Sequence, residues 1–400
     1  MLKNKIFFFI FILVFFACKS IKPVIKTTKI TQDKDIVSSG LIYNLPRTQV
    51  IVKVHISKIV QNKGPYIEFS EKYLGQLTNV IKQNQTIWEI SNIEFQTIPI
   101  VDTANIFIVS NLPDYSYLPF KLSKDGFLLS YNNNNVEYDD KDSDFKKKSN
   151  KTATNENFSF DLVSTDKNYK IVYDTIYREQ VYDSIIKKVP ILRPNLVRKT
   201  KGEQAKELAD KLVVLRDDRA ALLVGEGDSE YLPNGDALKL MLDEIDKLEA
   251  SYLSMFTGKT DTLKYTFSFN YIPSNKDIDK EIIIFKFSEN GGILAADSFY
   301  GTSVVLEMKS DNYTKAIKNF GFQQYMLSKD KKNKEKAGLY YRIPQKINIS
   351  VKGDGKMLAE QKVYISQLGT VEFLPESLFE NDELKIEFYP HLGSIKSIYY

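Results

Sequence analysis

The sequence predicts an α+β protein, predominantly antiparallel β, in which two sandwich-like β regions carry an inserted antiparallel helical hairpin. Three observations point there. The 400 residues include 25 Phe and 24 Tyr, which with many Ile and Val favour pleated, half-buried surface. Stretches near both ends alternate apolar and polar side chains with a period of two. Over residues 203–257 that pattern gives way to a 3.6-residue recurrence of Ala, Leu and Ile. With 43% hydrophobic and 26% charged residues, the chain can bury cores. Its net charge of +4 is dispersed, with no basic run interleaved with aromatics, which argues against nucleic acid as a partner.

Lys3 and Lys5 precede an unbroken apolar run, Ile6 to Phe16, followed by Ala17 and Cys18. Residues 1–17 therefore read as a secretory signal peptide; as a helix the run is about 16 Å long, too short to cross a bilayer. A small residue directly before a cysteine resembles the bacterial lipobox, where the chain is cut after Ala17 and the Cys18 thiol is lipidated. Cys18 is the sole cysteine, so no intramolecular disulfide forms. Residues 18–39 are polar and show no helix or strand period; as a tether they would hold the first folded element about 25 Å from the membrane. Lys19, Ser20, Ile21 and Lys22 differ from the acidic stretch that follows the cysteine in surface-exported lipoproteins. The expected location is the bacterial cell envelope, lipid-anchored in the outer membrane and facing the periplasm.

Residues 40–131 form the N-terminal β region. Val50, Val52, Val54 and Ile56 alternate with Ile51, Lys53, His55 and Ser57, one face to a core. GPYIEFSEKYLG carries a short helix over 65–74, with Pro65 in its first turn, Phe69 and Tyr73 four apart, and Gly75 as its stop. Strands are expected at 87–97 and 106–110, and Asp125-Gly126 marks a hairpin turn. Residues 132–157, rich in Asn, Lys and Asp, hold too few apolar side chains to offset ordering of the backbone and read as a disordered loop. The segment 158–200 is extended: Tyr169, Tyr173 and Tyr177 have helical spacing, but the Val, Ile and Thr between them favour a strand.

The helical hairpin occupies 203–257. Ala205, Leu208, Ala209 and Leu212 line its first helix, ended by Gly225, while Leu238, Met241, Leu242, Ile245, Leu248, Tyr252 and Phe256 line the second, capped by Asn234 or Asp236 and stopped at Gly258. Residues 260–400 are a C-terminal β domain with turns at Asn290-Gly291-Gly292 and Gly353-Asp354-Gly355, and a solvated lysine-rich loop at 328–336. GLIYNLP at Gly40 and GLYYRIP at Gly338 share four of seven residues. Their flanks turn opposite faces inward unless a bulge follows one of the prolines.

EQAKELADKLVVLRDDRAALLVGEGD, ALKLMLDEIDKLEASYLSMFTGKT, GLYYRIP and ISQLGTVEFLP, with YNLPRTQV and GPYIEFSEKYLG ahead of them, resemble the domain-of-unknown-function 4831 family of bacterial envelope lipoproteins. The resemblance covers most of residues 40–375, with the Asn-rich insertion as the departure. It implies location and class, and no chemistry.

Catalytic and metal candidates are sparse. His55 and His391 are the only histidines, too few with one cysteine for a zinc site built from several His and Cys, while a site that also uses carboxylates stays open. Gly258-Lys259-Thr260 ends like a phosphate-binding loop, yet Leu253 stands where glycine is needed; Gly225-Glu226-Gly227 starts like a dinucleotide fingerprint, yet Glu230 ends it. Glu226, Asp228, Glu230 and Asp236 are oxygen ligands without the spacing of a calcium loop. Glu372 with Glu376, or Asp217 with Asp218, offer paired acids of the kind glycan cleavage uses. No cofactor is implied. The sequence thus points to a non-enzymatic binding or scaffolding module on a periplasmic membrane face, with an envelope polysaccharide or another envelope protein as partner. A carboxylate-dependent glycan-active enzyme of the cell envelope is the alternative.

Overall fold

A computed structural model describes residues 25–30, 39–75, 79–110, 119–136, 168–183, 185–225, 235–310 and 338–400. Ala17, Cys18, Glu226, Asp228, Glu230, Asn234 and the lysine-rich loop lie outside the described residues. The fold is mostly antiparallel β in several sheets with three helices, an α+β protein. In chain order the elements are β1 (Lys26–Lys29), β2 (Leu41–Asn62), α1 (Ser70–Leu74), β3 (Gln85–Ser110), β4 (Phe120–Leu122), β5 (Leu128–Tyr131), β6 (Tyr169–Tyr182), β7 (Ile185–Arg198), α2 (Lys201–Val224) and α3 (Gly235–Thr257). They continue with β8 (Lys259–Tyr271), β9 (Glu281–Ser288), β10 (Gly292–Leu294), β11 (Thr302–Ser310), β12 (Gly338–Gly353), β13 (Lys356–Pro375), β14 (Lys385–Tyr389) and β15 (Ser394–Tyr399). No helix among them is long and apolar enough to cross a membrane.

The described chain divides into two compact units, and the division passes through β2, β3 and β8. The first takes residues 1–55, 90–150 and 266–400, so the N-terminal and C-terminal β segments share one unit. Its strands lie in three sheets, ordered β1-β3-β2-β8, β10-β9-β11-β12-β13 and β15-β14-β5-β4. Tyr43, Leu45, Phe107, Val109, Phe120, Leu339, Leu384, Ile386 and Phe388 are buried together. Phe107 stacks between Tyr43 and Tyr340, at centroid distances of 5.4 and 4.6 Å. The Tyr43 hydroxyl donates to the Tyr340 carbonyl (3.2 Å) and accepts from the Tyr340 N–H (3.0 Å); burial pushes this phenol well above its ordinary pKa.

Three sequence expectations change here. Lys26–Lys29, placed in the tether, forms β1 against Phe107–Ser110 of β3, so the stretch between Cys18 and the first strand is residues 19–25. Its lack of internal period is offset by pairing along an existing edge and by burial of Ile25 and Thr27. The strands expected at 87–97 and 106–110 are parts of one strand, β3. Asn132 and Asn133, assigned to a loop, brace β14: their amides donate to the Leu384 carbonyl (3.1 Å) and to Glu387 Oε1 (3.0 Å). Residues 137–157 lie outside the described residues.

The two look-alike heptads open β2 and β12. A Cβ on Gly40 would lie 2.2 Å from the Val109 carbonyl oxygen, and one on Gly338 1.9 Å from that of Leu374, so each glycine admits a neighbouring strand. Past the prolines, Val50, Val52 and Val54 are buried in β2, and Ile347, Ile349 and Val351 in β12. The one-residue offset coincides with a register shift between Ile343 and Gln345, at Pro344.

The second unit, residues 56–89 and 151–265, holds α1, α2, α3 and the β6–β7 ribbon. A single 3₁₀ turn, Ile67–Phe69, leads into α1, and Phe69 and Tyr73 pack at 6.2 Å. Ala205, Leu208, Ala209 and Leu212 of α2 meet Met255 and Phe256 of α3, with Tyr66, Phe69 and Tyr73 packed around them. Arg216–Glu249 (2.7 Å) and Arg219–Asp246 (2.8 Å) pair the two helices on their outer faces. Gly225 (φ +77°) and Gly258 (φ +88°) end them in the left-handed conformation that glycine adopts without strain.

A candidate interaction surface

β6 and β7 pair in unbroken antiparallel register, from Tyr169 opposite Arg198 to Tyr182 opposite Ile185. Among the described residues neither strand joins another sheet. Side chains two apart share a face of a strand, so Tyr169, Ile171, Tyr173, Thr175 and Tyr177 line one side together with Leu196, Pro194, Leu192 and Pro190 opposite them. The large apolar side chains on this face are 56–72% exposed; Val172, Ile176, Ile191 and Val197 on the other are 37–47% exposed. The tyrosine spacing of four, which also fits a helix, becomes a strand because Ile171, Val172, Thr175 and Ile176 are β-branched.

The root of the ribbon is fixed to α2. Thr200 caps the helix: its Oγ1 accepts from the Glu203 N–H (3.3 Å), and Glu203 Oε2 accepts from the Thr200 N–H (2.9 Å), a capping box. Lys170 of β6 pairs with the same Glu203, and Lys199 with Glu207. The Lys170 hydrogen bond, then the Thr200 N–H, hold the Glu203 carboxyl down to about 2. Asn168 ties the base, accepting from the Lys199 N–H (2.8 Å) and from Gln204 Nε2 (3.1 Å).

The first unit holds a buried polar cluster that sequence reasoning missed. Arg342 of β12 pairs with Asp102 of β3 and donates through Nη1 to the Ser366 carbonyl (3.3 Å). Ser366 N–H donates to Thr48 Oγ1 (3.0 Å), and Gln367 exchanges hydrogen bonds with the Thr48 backbone at 2.7 and 2.9 Å. Burial pulls the Arg342 guanidinium below its ordinary pKa, and the Asp102 carboxylate opposes that pull. The cluster ties together four strands, β2, β3, β12 and β13. A cation at a buried position of an alternating strand was its one sequence signal.

The other candidates are dispersed. His55 Nδ1 is 2.9 Å from Thr266 Oγ1, and its Nε2 is 3.7 Å from Glu94; hydroxyl, imidazole and carboxylate lie in line on strands. His391 packs edge-on to Tyr389. Glu372 sits in β13 opposite Tyr341, Glu376 opens the 3₁₀ turn after it, and Asp217 and Asp218 are exposed on α2. A Cβ at Gly258 would lie 2.6 Å from the Asn62 carbonyl oxygen and Lys259 pairs with Asp261 (3.1 Å), so this glycine serves close packing of backbone. Asp236 lies in the first turn of α3, and no cluster of metal-ligating side chains occurs among the described residues.

Among the described residues, two grooves lie in the second unit. One, of about 780 Å³, is lined by Gln61, Asn79, Lys82, Gln83, Gln85 and Thr260 among others, with no carboxylate. The other, of about 330 Å³, includes Asp210 and Asp218, eight residues apart on α2 and hence about 12 Å along its axis. Paired glycosidase acids stand about 5–9.5 Å apart. Neither groove contains His55, Thr266 or Glu94.

The described residues define an antiparallel β-rich α+β protein with a helical pair and a separate two-stranded ribbon whose apolar side chains are exposed. The chain belongs to the family described as a domain of unknown function, DUF4831, whose profile matches residues 39–183 and 173–396. No curated protein and no solved structure matches it.

Proposed function

We propose that this chain is a non-enzymatic interaction module of the bacterial cell envelope, held on a periplasm-facing membrane by a lipid on Cys18 after cleavage behind Ala17. The β6–β7 ribbon is the surface through which it binds a protein. The observation that carries this reading is the Tyr, Ile and Leu face left in water along both strands, an area that soluble proteins cover. A protein suits it better than a polysaccharide, because Ile171, Leu192 and Leu196 offer sugar hydroxyls no hydrogen-bond partner. The glycan-active alternative gains no support from either groove, for want of two carboxylates at a working separation.

The test is fractionation of a bacterial envelope that produces the full chain. The wild type is expected in the membrane and Cys18→Ser in the soluble periplasm, with Tyr173→Lys/Leu196→Lys abolishing site-specific crosslinks from the ribbon to protein. Equal partition of wild type and Cys18→Ser would reject the anchor. Release of reducing ends from envelope glycan by the purified chain would reject the non-enzymatic reading.

A further inference from the structure

The edges of the ribbon differ. Pro190 and Pro194 stand opposite Tyr177 and Tyr173 in an uninterrupted ladder. Proline cannot donate, so both occupy non-hydrogen-bonded pairs and their nitrogens face away from β6. The outer edge of β7 therefore lacks two donors and is closed to a further strand. By the same alternation the N–H and C=O groups of Ile171, Tyr173, Thr175, Tyr177 and Glu179 point out from β6, whose outer edge carries no proline and among the described residues pairs with nothing.

Resting on the reading of the ribbon as an association surface, we infer that β6 pairs antiparallel with β6 of a second copy of this chain, across a two-fold axis at Ile176, giving a four-stranded sheet β7-β6-β6-β7. Charge selects the register. In registers pairing most of the strand, an axis at Asp174 sets Asp174 against its own copy and Lys170 against Arg178. Axes at Thr175 and Tyr177 leave the charges facing neutral side chains. An axis at Ile176 alone brings Asp174 opposite Arg178, twice by symmetry, at non-hydrogen-bonded positions where side chains approach most closely. Arg178 stands opposite Val189 within the ribbon and has no carboxylate partner among the described residues. The axis is perpendicular to the sheet, so both tyrosine faces lie on the same side. The prolines close both outer edges, so assembly ends at two copies.

The experiment measures the mass of the full-length Cys18→Ser chain by light scattering and ultracentrifugation across concentrations, with charge variants and one added cysteine. A dimer is expected. Asp174→Arg should weaken it at least tenfold, and Asp174→Arg/Arg178→Asp should restore it. Ile176→Cys on the Cys18→Ser background should form an intermolecular disulfide under mild oxidation, faster than Val197→Cys. A chain monomeric at high concentration, a dimer indifferent to Asp174→Arg, or equal crosslinking at the two positions would each overturn the inference. A monomer whose ribbon still crosslinks to another envelope protein overturns only the pairing of copies. A monomer whose ribbon crosslinks to nothing overturns the association surface as well.

Discussion

Arg342 on β12 and Asp102 on β3 form an ion pair almost wholly out of solvent, their side chains 3% and 7% exposed. The carboxylate also accepts from the Ala104 N–H (3.1 Å) and from Asn105 Nδ2 (2.8 Å), so its charge is met from three directions. Removing the guanidinium leaves that charge buried with amide donors alone. Arg342→Met should cost about 3–5 kcal/mol in chemical denaturation, and Arg342→Met/Asp102→Leu should recover much of it. A double variant whose cost equals the sum of the singles would show that the two side chains do not act as a pair.

That pair also marks what a sequence can and cannot disclose. Helix stops at Gly225 and Gly258, the turn at Asp354-Gly355 and the buried faces of β2 and β12 are local matters of backbone conformation and period, and they were legible. β3 was not legible as one strand, because Pro99 and Asp102 both ordinarily end one. Asp102 stays in the strand because a cation 240 residues later neutralises it, and no local window contains that fact. The ribbon was read as extended chain, but the exposure of its side chains is a matter of tertiary packing that no local window contains. The terminal β segments fold as one unit through contacts that composition and period do not encode.

Acid should loosen the root of the ribbon. Glu203 titrates at about 2 in the fold against 4.5 for the free group, so the native state favours its ionised form. The stabilisation is complete above pH 4.5 and is lost as the pH falls towards 2, because the unfolded chain takes up the proton first. The midpoint of thermal unfolding, followed by the helical circular dichroism signal, should fall across this window more steeply for the wild type than for Glu203→Gln. Identical slopes would remove Glu203 from the explanation.

The same box makes a prediction at neutral pH. Thr200→Ala removes the acceptor for the Glu203 N–H and should lower stability by about 1 kcal/mol, while Thr200→Ser should keep most of it. Urea denaturation of the three proteins decides the matter. Equal midpoints for Thr200→Ala and wild type would mean that water replaces the cap without loss.

Gly369 offers a test of the bulge at Pro344. A Cβ there would lie 1.7 Å from the Ile343 carbonyl oxygen, a backbone atom that no rotamer change can move aside. Gly369→Ala should cost about 1–3 kcal/mol, as overpacking does. Measured against Gly355→Ala, where no atom lies within 4 Å but φ is +70°, the comparison separates crowding from backbone strain. The larger loss is expected at Gly369.

The hydrogen bonds between Tyr43 and Tyr340 join residues 297 apart in the chain. During synthesis, which delivers the N-terminal part first, β2 emerges long before the strand that completes its core. Its Tyr43 and Leu45, which are buried together with Leu339, must wait exposed until β12 arrives. Closure over so long a separation is a slow route to the native state, and a waiting apolar strand invites aggregation. The protein is thus expected to depend on a holding chaperone while it matures, most strongly in the interval before residue 340 has been made.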